Sequence, residues 1–307
     1  MEIRYLKRDE IDQLKWDSCV HYANNGQVYG YTWYLDNVAE EWDGLVEGDY
    51  ESVFPLVWNS KIFGIKQLYQ PFLSQQLGLF SVNLLSKARL KHFIEAIPTE
   101  FKYWNFQLNY HNAIPEDWGY TVSKRSNFEL ALYDSYEDLS SHYSKNLQRS
   151  LKKARKSDLI LTGNVKPEKL VELYKTHQGP KIGNLPDEFY HAAHRVIYNA
   201  LHRGRGFLSG VLNRKGDLLA AGFFLNSHHR ITNLLPSSTP EGREVCAMHH
   251  LMDMLIRGSA GRKVILDFEG SSIPSIARFY ESFGAIDVPF YQIKRNKLPL
   301  PLRLVKK

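Results

Sequence analysis

The segment between residues 263 and 285 constrains the fold more than any other part of this 307-residue chain. Three branched apolar residues in a row, at 264–266, predict a strand that is buried on both faces of a sheet. Gly270 then predicts a turn, because glycine lacks the side chain that restricts the backbone. Pro274 fits the first turn of a following helix, where no amide hydrogen bond is lost, and Gly284 predicts its end.

The turn between this strand and helix carries the polar groups of the segment. Asp267 and Glu269 lie at the end of the predicted strand, and Ser271 or Ser272 can cap the helix. The helix has one apolar face, formed at three- and four-residue spacing by Ile276, Phe279, Tyr280 and Phe283. A strand that delivers polar groups to a helix N-terminus is typical of an acyl-transfer or anion-binding site.

Composition limits the class of protein. Hydrophobic residues make up 43% of the chain and charged residues 23%, which predicts a soluble globular protein of one large or two ordinary domains. Cys19 and Cys246 are the only cysteines, so the sequence fits a reducing compartment rather than a disulfide framework. Because the charged N-terminus is no signal peptide and the longest apolar run, 218–225, is too short to span a bilayer, we expect a cytoplasmic protein without a transmembrane segment.

Positive charge is concentrated in two segments that contain no acidic residue. The first segment contains Lys145, Arg149, Lys152, Lys153, Arg155 and Lys156. The second contains Lys294, Arg295, Lys297, Arg303, Lys306 and Lys307. Since the net charge of the chain is +6, the remainder is net acidic. This distribution favours a phosphorylated partner.

The first basic segment has the spacing of a helix, predicted over residues 140–157. Its basic stripe contains Lys145, Arg149, Lys152 and Lys156, and its apolar stripe contains Leu147, Leu151 and Ala154. The first three basic residues are the predicted phosphate contacts, with a merely solvated helix face as the alternative. The second segment is predicted to be a basic C-terminal tail, whose LPLPLRL sequence forms no ordinary helix.

The two halves of the chain repeat one order of elements, which predicts lobes at 1–134 and 135–307. In the first half the predicted strands cover 42–46, 51–58, Ile65–Tyr69, Tyr103–Leu108 and 127–132, with a helix around Leu90 and Phe93. In the second half they cover 207–212, 218–225, 229–235 and 264–266, with helices at Pro167–His177, 186–202 and 245–255. A loop, 70–81 or 236–242, separates the third strand of each half from the next helix.

Three stretches carry a resemblance to a known family. They are SKNLQRSLKKARKS at 144–157, the predicted strands at 208–236 and the strand-helix unit at 263–285. Together with the repeated order of elements, they resemble the double-GNAT proteins of the Fem-type group, in an uncharacterised bacterial branch. The resemblance implies an α/β (α+β) fold of two GNAT-like lobes, each a mixed, mostly antiparallel sheet flanked by helices, with a cleft between them.

The resemblance also implies a function. The Fem-type group contains the aminoacyl-tRNA-dependent peptidoglycan transferases, so an N-acyltransferase that moves an acetyl or aminoacyl group to an amine is expected. Acyl-CoA or aminoacyl-tRNA would be the donor substrate, with no permanently bound cofactor, and tRNA is a candidate partner. The acceptor would be a small molecule or a cell-wall precursor. Two alternatives stay open: a transferase that requires aminoacyl-tRNA and acts on a peptidoglycan precursor, and a non-catalytic binding protein on the same fold.

Two departures from the family patterns leave the donor open. Phe279 and Tyr280 stand where Fem-type transferases usually carry Phe-Lys, whereas acetyl-CoA-dependent GNAT enzymes place a tyrosine there to protonate the departing thiolate. Those enzymes also hold the CoA pyrophosphate on the amides of a glycine-containing loop. The corresponding loop here, 237–247, does not match that pattern, and Pro240 removes one amide donor.

Acyl transfer to an amine needs a base, donors for the tetrahedral oxyanion and an acid for the leaving group. Glu269 or Asp267 is the predicted base, unless it caps the following helix or pairs with an arginine such as Arg278. Tyr280 is the predicted acid, and a packed core tyrosine is the alternative interpretation.

The remaining predicted contacts lie in turns. The amides at Gly270 and Ser271 are predicted to hold an anion on the donor. Tyr69 ends the third strand of the first half, and Gln75 and Gln76 lie in the loop after it. All three are predicted to bind the acceptor, with turn formation and interdomain packing as the alternative. The histidine spacings match no metal-site pattern, so no metal is predicted.

Overall fold

Alternating and continuous apolar runs form strands throughout the chain. In this computed structural model, which describes residues 2–114, 118–183, 185–270 and 273–305, the strands of the first half are β1 (Ile3–Leu6), β2 (Glu41–Glu47), β3 (Ser52–Ile62), β4 (Ile65–Tyr69), β5 (Phe80–Ser81), β6 (Tyr103–Leu108) and β7 (Thr121–Arg125). The remaining strands are β8 (Phe128–Ala131), β9 (Ile160–Thr162), β10 (Gly206–Leu212), β11 (Leu218–Ser227), β12 (Arg230–Asn233), β13 (Ser237–Ser238), β14 (Ile265–Asp267), β15 (Ile286–Asp287) and β16 (Phe290–Asn296).

Helices with one apolar face lie between these strands. They are α1 (Gln13–Tyr22), α2 (Thr32–Val38), α3 (Lys87–Glu95), α4 (Tyr136–Ser141), α5 (Lys145–Ala154), α6 (Pro167–His177), α7 (Gly179–Ile182), α8 (Asp187–His202), α9 (Pro240–Glu244), α10 (Ala247–Ser259), α11 (Pro274–Glu281) and α12 (Leu300–Val305). None of these helices is both long enough and apolar enough to cross a bilayer.

The chain forms two units, Met1–Arg125 with Pro289–Lys307 and Ser126–Val288, and each unit has one sheet. The first sheet has the order β1-β2-β3-β4-β6-β16-β7, with β5 on β3, and the second has the order β15-β8-β14-β12-β11-β10-β9, with β13 on β11. Each sheet contains one parallel pair of strands, β4 with β6 and β12 with β14, and its other pairs are antiparallel. The prediction of two mixed, mostly antiparallel sheets flanked by helices is confirmed.

Two strands join a sheet different from the one that their place in the sequence halves suggests. β8 inserts between β14 and β15, and β16 inserts between β6 and β7. The predicted strand at 127–132 therefore belongs to the second unit, and the C-terminal tail belongs to the first, unlike the division at residues 134 and 135 inferred from the sequence. Ile293 of β16 pairs with Phe106 and is fully buried, which contributes roughly 1.5–3 kcal/mol.

The C-terminal basic segment forms regular structure. The prediction that LPLPLRL forms no helix is wrong, because α12 spans Leu300–Val305. Pro301 lies in its first turn, where the N–H that proline lacks would have no intrahelical acceptor. The main-chain amide of Arg303 donates to the carbonyl of Pro299 at 2.9 Å. Lys306 and Lys307 lie outside the described residues.

The single helix predicted over 140–157 is interrupted, because α4 ends at Ser141 and the first basic segment begins α5 at Lys145. The side chain of Ser144 accepts a hydrogen bond from the amide of Leu147 and so caps α5, separating it from α4. The predicted apolar stripe of α5 is confirmed, since Leu147, Leu151 and Ala154 are all buried. In the second unit, α5 packs on the same apolar core as β14 and α11.

The predicted strand-helix unit forms the centre of that core. β14 spans Ile265–Asp267 and α11 begins at Pro274, as predicted, with Ile273 rather than a serine at the N-cap. Ser271 and Ser272 lie outside the described residues. Phe283 is fully buried, and its ring centroid lies 5.9 Å from that of Phe268. The core therefore fixes the turn that carries Glu269.

Candidate active site

Loop length distinguishes the two units at the ends of their parallel strands. In the first unit, residues 70–79 join β4 to β5, and Leu77 forms a parallel bridge with Leu108 of β6. The amide of Leu77 donates to the carbonyl of Gln107, and the amide of Asn109 donates to the carbonyl of Leu77. The loop thus fills the end of the parallel pair. In the second unit, only the three residues 234–236 join β12 to β13. A pocket lies where this short connection follows β12.

This pocket, named the donor pocket for the role that we propose for it below, has a volume of about 330 Å³ and is lined only by second-unit residues. Its polar lining is formed by Gln178, Lys181, Asn233, Ser237, Ser238, Arg243, Cys246 and His249. Its other lining residues are Pro236, Gly242, Met248, Ile276, Phe279 and Tyr280. The apolar face predicted for α11 therefore contributes one wall, and the predicted acid Tyr280 reaches the pocket.

Two cationic side chains lie in the lining of the donor pocket. Neither Lys181 nor Arg243 forms an ion pair with any described residue, and Arg243 Nη1 donates to the carbonyl of Ser238 at 2.8 Å. Partial burial lowers the pKa of Lys181, and the positive charge of Arg243 lowers it further. Two like charges at one pocket without a carboxylate partner are suited to an anionic ligand. Sequence reasoning missed both residues, because neither belongs to a basic run.

The N-terminus of α10 also opens into the donor pocket. Cys246 is its N-cap residue, with φ of +60° and no side-chain capping bond, and Met248 and His249 of the first turn line the pocket. The first amides of a helix lack intrahelical acceptors and carry the positive end of its dipole. Together with Lys181 and Arg243, they form an anion-binding surface. The sequence had instead predicted anion-binding amides at Gly270, which is exposed, and at Ser271, which lies outside the described residues.

The 237–247 loop itself offers few free amides. The amide of Gly242 donates to Thr239 Oγ1 at 2.9 Å, and the amide of Arg243 donates to the Thr239 carbonyl at 3.0 Å. A Cβ at position 242 would lie 2.1 Å from the carbonyl oxygen of Leu219, so only glycine fits this close approach. The loop glycine therefore serves packing, in agreement with the mismatch to the CoA-loop pattern.

Tyr280 is both a core residue and part of the pocket lining. Its side chain is 6% exposed, and its ring centroid lies 4.8 Å from that of Phe268. Burial raises the pKa of Tyr280, and the charge of Glu269 raises it further. The phenol is therefore protonated at neutral pH and can donate a hydrogen bond or a proton.

Glu269 occupies the turn between β14 and α11 in a strained conformation. Its φ of +59° lies in the left-handed region, which costs a residue other than glycine about 1–2 kcal/mol. Its amide donates to Asp267 Oδ1 at 2.9 Å, and its carbonyl accepts from the amide of Phe128 at 3.3 Å. The charge of Glu269 raises the pKa of both Tyr174 and Tyr280. Of these three residues, only Tyr280 lines the donor pocket.

Asp267 is held in a buried ion network. Arg230 Nη1 lies 3.0 Å from Asp267 Oδ2 and 2.7 Å from Glu129 Oε1, and the strand register places Asp267 beside Glu129. Burial raises the pKa of Glu129, against the lowering effect of Arg230. Asp267 does not line the donor pocket. Its contacts match the alternative of pairing with an arginine, which is Arg230 rather than Arg278.

His249 is a pocket residue that sequence reasoning considered only for metal binding. Its ring lies edge-on to Phe279, with centroids 4.9 Å apart. Burial lowers the pKa of His249, so the imidazole is neutral at pH 7. The sequence could have indicated a place at a helix N-terminus, because His249 lies three residues after Cys246, near the start of the helix predicted over 245–255. In the described residues, no group of three His, Cys, Asp or Glu side chains is placed to hold a metal ion.

The other predicted contacts lie outside the donor pocket. Lys145, Arg149 and Lys152 are exposed on α5, and none of them lines the pocket or pairs with a described carboxylate. Their predicted contact with phosphate is thus separate from the anion-binding surface of the pocket.

The predicted acceptor residues lie in the first unit and contact one another or the backbone. Tyr69 Oη accepts from the amide of Glu40 at 3.2 Å, and burial raises its pKa. Gln76 is buried, accepts from the amide of Tyr110 at 2.9 Å and donates to Gln75 Oε1 at 2.8 Å. Gln76 therefore holds the loop, and Gln75 is only partly buried.

The sequence matches no protein-family profile and no curated protein, whereas the fold matches solved structures. FemX aligns over 100% of both chains with a TM-score of 0.67 and 13% identity. L-PGS from Bacillus licheniformis aligns over 96% of this chain and 94% of its own, with a TM-score of 0.56 and 9% identity. A tandem GNAT protein from the clavulanic acid biosynthesis pathway aligns over 97% and 100%, with a TM-score of 0.52 and 11% identity. The predicted resemblance is confirmed at the level of the fold: this chain has the tandem GNAT-like fold of FemX.

Proposed function

We propose that the protein is an N-acyltransferase whose donor binds in the donor pocket. The observation that supports this most is the convergence of an anion-binding surface, at Lys181, Arg243 and the start of α10, with the buried phenol of Tyr280. A donor with phosphates and a reactive acyl bond needs both features. The fold shared with FemX and with a tandem GNAT protein agrees with this reaction class.

In the proposed reaction, the acceptor nitrogen attacks the acyl carbon of the donor. A new C–N bond forms, and the bond between the acyl carbon and the leaving atom breaks. Glu269 takes the proton that the amine loses, and Tyr280 gives a proton to the leaving atom. Asp267 positions Glu269 through the hydrogen bond to its amide.

Two features favour aminoacyl-tRNA, an ester donor, over the thioester acetyl-CoA. The loop at 237–247 does not match the CoA-binding pattern, and two of its amides, those of Gly242 and Arg243, are used within the loop by Thr239. Of the two expected donors, aminoacyl-tRNA carries an ester, and the exposed basic stripe of α5 offers a surface for its phosphates.

The proposed acceptor is an amine on a cell-wall precursor. This rests on the sequence resemblance. A non-catalytic protein on the same fold would bind the donor without consuming it.

The test compares aminoacyl-tRNA and acetyl-CoA in parallel. Donor binding is measured as a shift in melting temperature, and transfer is measured with a nucleotide-sugar peptide that carries a free amine. We expect stabilisation and transfer with aminoacyl-tRNA, and a loss of turnover of about 10²–10⁴-fold in Glu269→Gln. Glu281→Gln, an exposed glutamate on α11, is the matched control. Consumption of acetyl-CoA alone would contradict the ester donor, and unchanged turnover in folded Glu269→Gln would remove that residue from the mechanism.

A further inference from the structure

The described residues of the second basic segment lie on or next to β16 and α12 of the first unit. None of them lines the donor pocket. Lys294 pairs in register with Asn105 of β6 and Thr121 of β7, and Arg295 pairs with Trp104. Because β16 is the inserted strand between β6 and β7, its basic residues are brought next to aromatic residues that are distant in sequence.

These residues line a second pocket, the aromatic-basic pocket below, with a volume of about 770 Å³. Its lining is formed by Tyr103, Trp118, Gly119, Tyr120, Thr121, Lys294, Arg295, Asn296, Lys297 and Arg303. Four of these described lining residues are cationic, and none carries a carboxylate. Lys294, Lys297 and Arg303 form no ion pair with any described residue. The pocket therefore has a positive charge that the described side chains do not neutralise.

Aromatic rings form the apolar part of the pocket. Tyr120 stacks on Trp104 with ring centroids 5.5 Å apart and an interplanar angle of 27°, and Trp118 lies edge-on to Tyr120 at 5.5 Å. Trp104 is 1% exposed and serves as the buried base of the stack, with the guanidinium of Arg295 4.3 Å from its ring centroid. Trp118 and Tyr120 are only partly buried, so they present ring surface to the pocket.

One polar atom of this aromatic group has no partner. Trp118 Nε1 is buried and has no hydrogen-bond acceptor among the described residues. A buried indole N–H without an acceptor costs free energy, and because this atom has almost no accessible surface, a ligand in the pocket does not contact it. The charge and the ring surface are therefore the two features that a ligand must match, and a negatively charged ligand with a flat ring matches both.

We propose that the aromatic-basic pocket binds a nucleotide unit, either free or within a single-stranded nucleic acid. The base stacks on Trp118 and Tyr120, and Lys294, Lys297 and Arg303 contact the phosphates. Proteins that bind single strands combine these two elements, a stacking surface and a basic groove. An acidic peptide or a lipid headgroup would use the charges but leave the aromatic surface without a role. The site is independent of the proposed acyl transfer.

The test titrates the full-length protein with a fluorescently labelled, unstructured RNA oligomer and follows anisotropy, with ADP as a competitor. Trp118→Leu should weaken binding about fivefold or more through lost stacking, with little change in salt dependence. Lys294→Gln with Lys297→Gln should weaken binding and reduce the slope of log affinity against log salt by about 1.4. Lys7→Gln with Lys91→Gln, which removes two exposed lysines elsewhere in the first unit, should leave both quantities unchanged.

Each outcome decides a specific point. Competition by ADP would identify a free nucleotide as a sufficient ligand, and binding of the oligomer alone would identify the single strand; both support the proposal. Loss of affinity in the lysine variant without any loss in Trp118→Leu would indicate a merely electrostatic surface and overturn it. Absence of binding to both probes would also overturn it. Circular dichroism of each variant separates loss of the site from loss of the fold.

Discussion

The carboxylate of Asp267 accepts a hydrogen bond from the main-chain amide of Glu269 at 2.9 Å. This contact closes the left-handed turn at the end of β14, where Glu269 takes a φ of +59°. Because Asp267 is itself fixed by Arg230 in the sheet, the strained turn is supported by the most buried ionic group of the second unit. A strained residue beside a pocket tyrosine is the feature from which we infer a catalytic role for Glu269.

Removal of Arg230 tests this support. In Arg230→Met, Asp267 and Glu129 lose their shared cation in a buried environment, so the free energy of unfolding should fall by about 3–5 kcal/mol. Urea denaturation measures the change. Arg278→Met, an exposed arginine on α11, should change stability by less than about 0.5 kcal/mol. Equal stability of the two variants would contradict a structural role for the network.

The pKa of Glu129 predicts a pH dependence of stability. Since burial raises this pKa in the folded state above its ordinary value of 4.5, the native protein binds the proton more tightly than the unfolded chain does. The stability contributed by this proton is complete below pH 4.5 and is lost as the pH rises through the native pKa. Unfolding free energies from about pH 4 to pH 7 should therefore decline less in Glu129→Gln than in the wild type. An identical pH profile in the two proteins would contradict the assignment.

The lowered pKa of His249 predicts the opposite pH dependence of stability. Burial lowers the pKa of His249 below its ordinary value of 6.5, so the unfolded chain binds the proton more tightly than the native protein does. Stability should therefore fall as the pH drops below 6.5. In His249→Phe, stability should fall less between neutral and acid pH than in the wild type, as measured by the melting temperature at each pH. His191→Phe, an exposed histidine on α8, should keep the whole decline.

Tyr280→Phe tests whether Tyr280 acts as a catalytic acid or only packs in the core. The ring remains to pack on Phe268, so stability should change by less than about 1.5 kcal/mol. Turnover with aminoacyl-tRNA should fall about 10²–10⁴-fold, because the leaving alkoxide then has no proton donor. Tyr198→Phe, a partly exposed tyrosine on α8, is the control. A variant with full turnover would show that Tyr280 acts only in packing.

Much of the fold follows from local sequence patterns. The bounds of β4, β6 and α6 agree with the predicted ones, and the stripe of Leu147, Leu151 and Ala154 is buried as its spacing predicted. These elements are specified by apolar periodicity within a single segment. The strand exchange could not be predicted in this way. Periodicity identified β8 as a strand without identifying the sheet that it joins, and β16 lies in a segment that was predicted as a basic tail.

The candidate site was predicted only in part. Tyr280 was placed in a site by its position on a helix that follows a carboxylate-bearing turn, and it lines the donor pocket. Lys181 and His249 were missed, since isolated polar residues acquire a role only when tertiary packing brings them to one cavity. The turn was predicted at Gly270 because glycine is flexible, and the structure shows in addition that Glu269 takes a positive φ there. Local propensity does not predict strain that the surrounding core imposes.

The central claim, that the donor binds in the donor pocket, is tested most directly by steady-state kinetics of Lys181→Gln with Arg243→Gln. Both substitutions remove charge from the anion-binding surface and leave Glu269 and Tyr280 in place. We predict that the KM for aminoacyl-tRNA rises about tenfold or more, while kcat and the KM for the amine acceptor change little. An unchanged KM for the donor in this folded double variant would contradict the account.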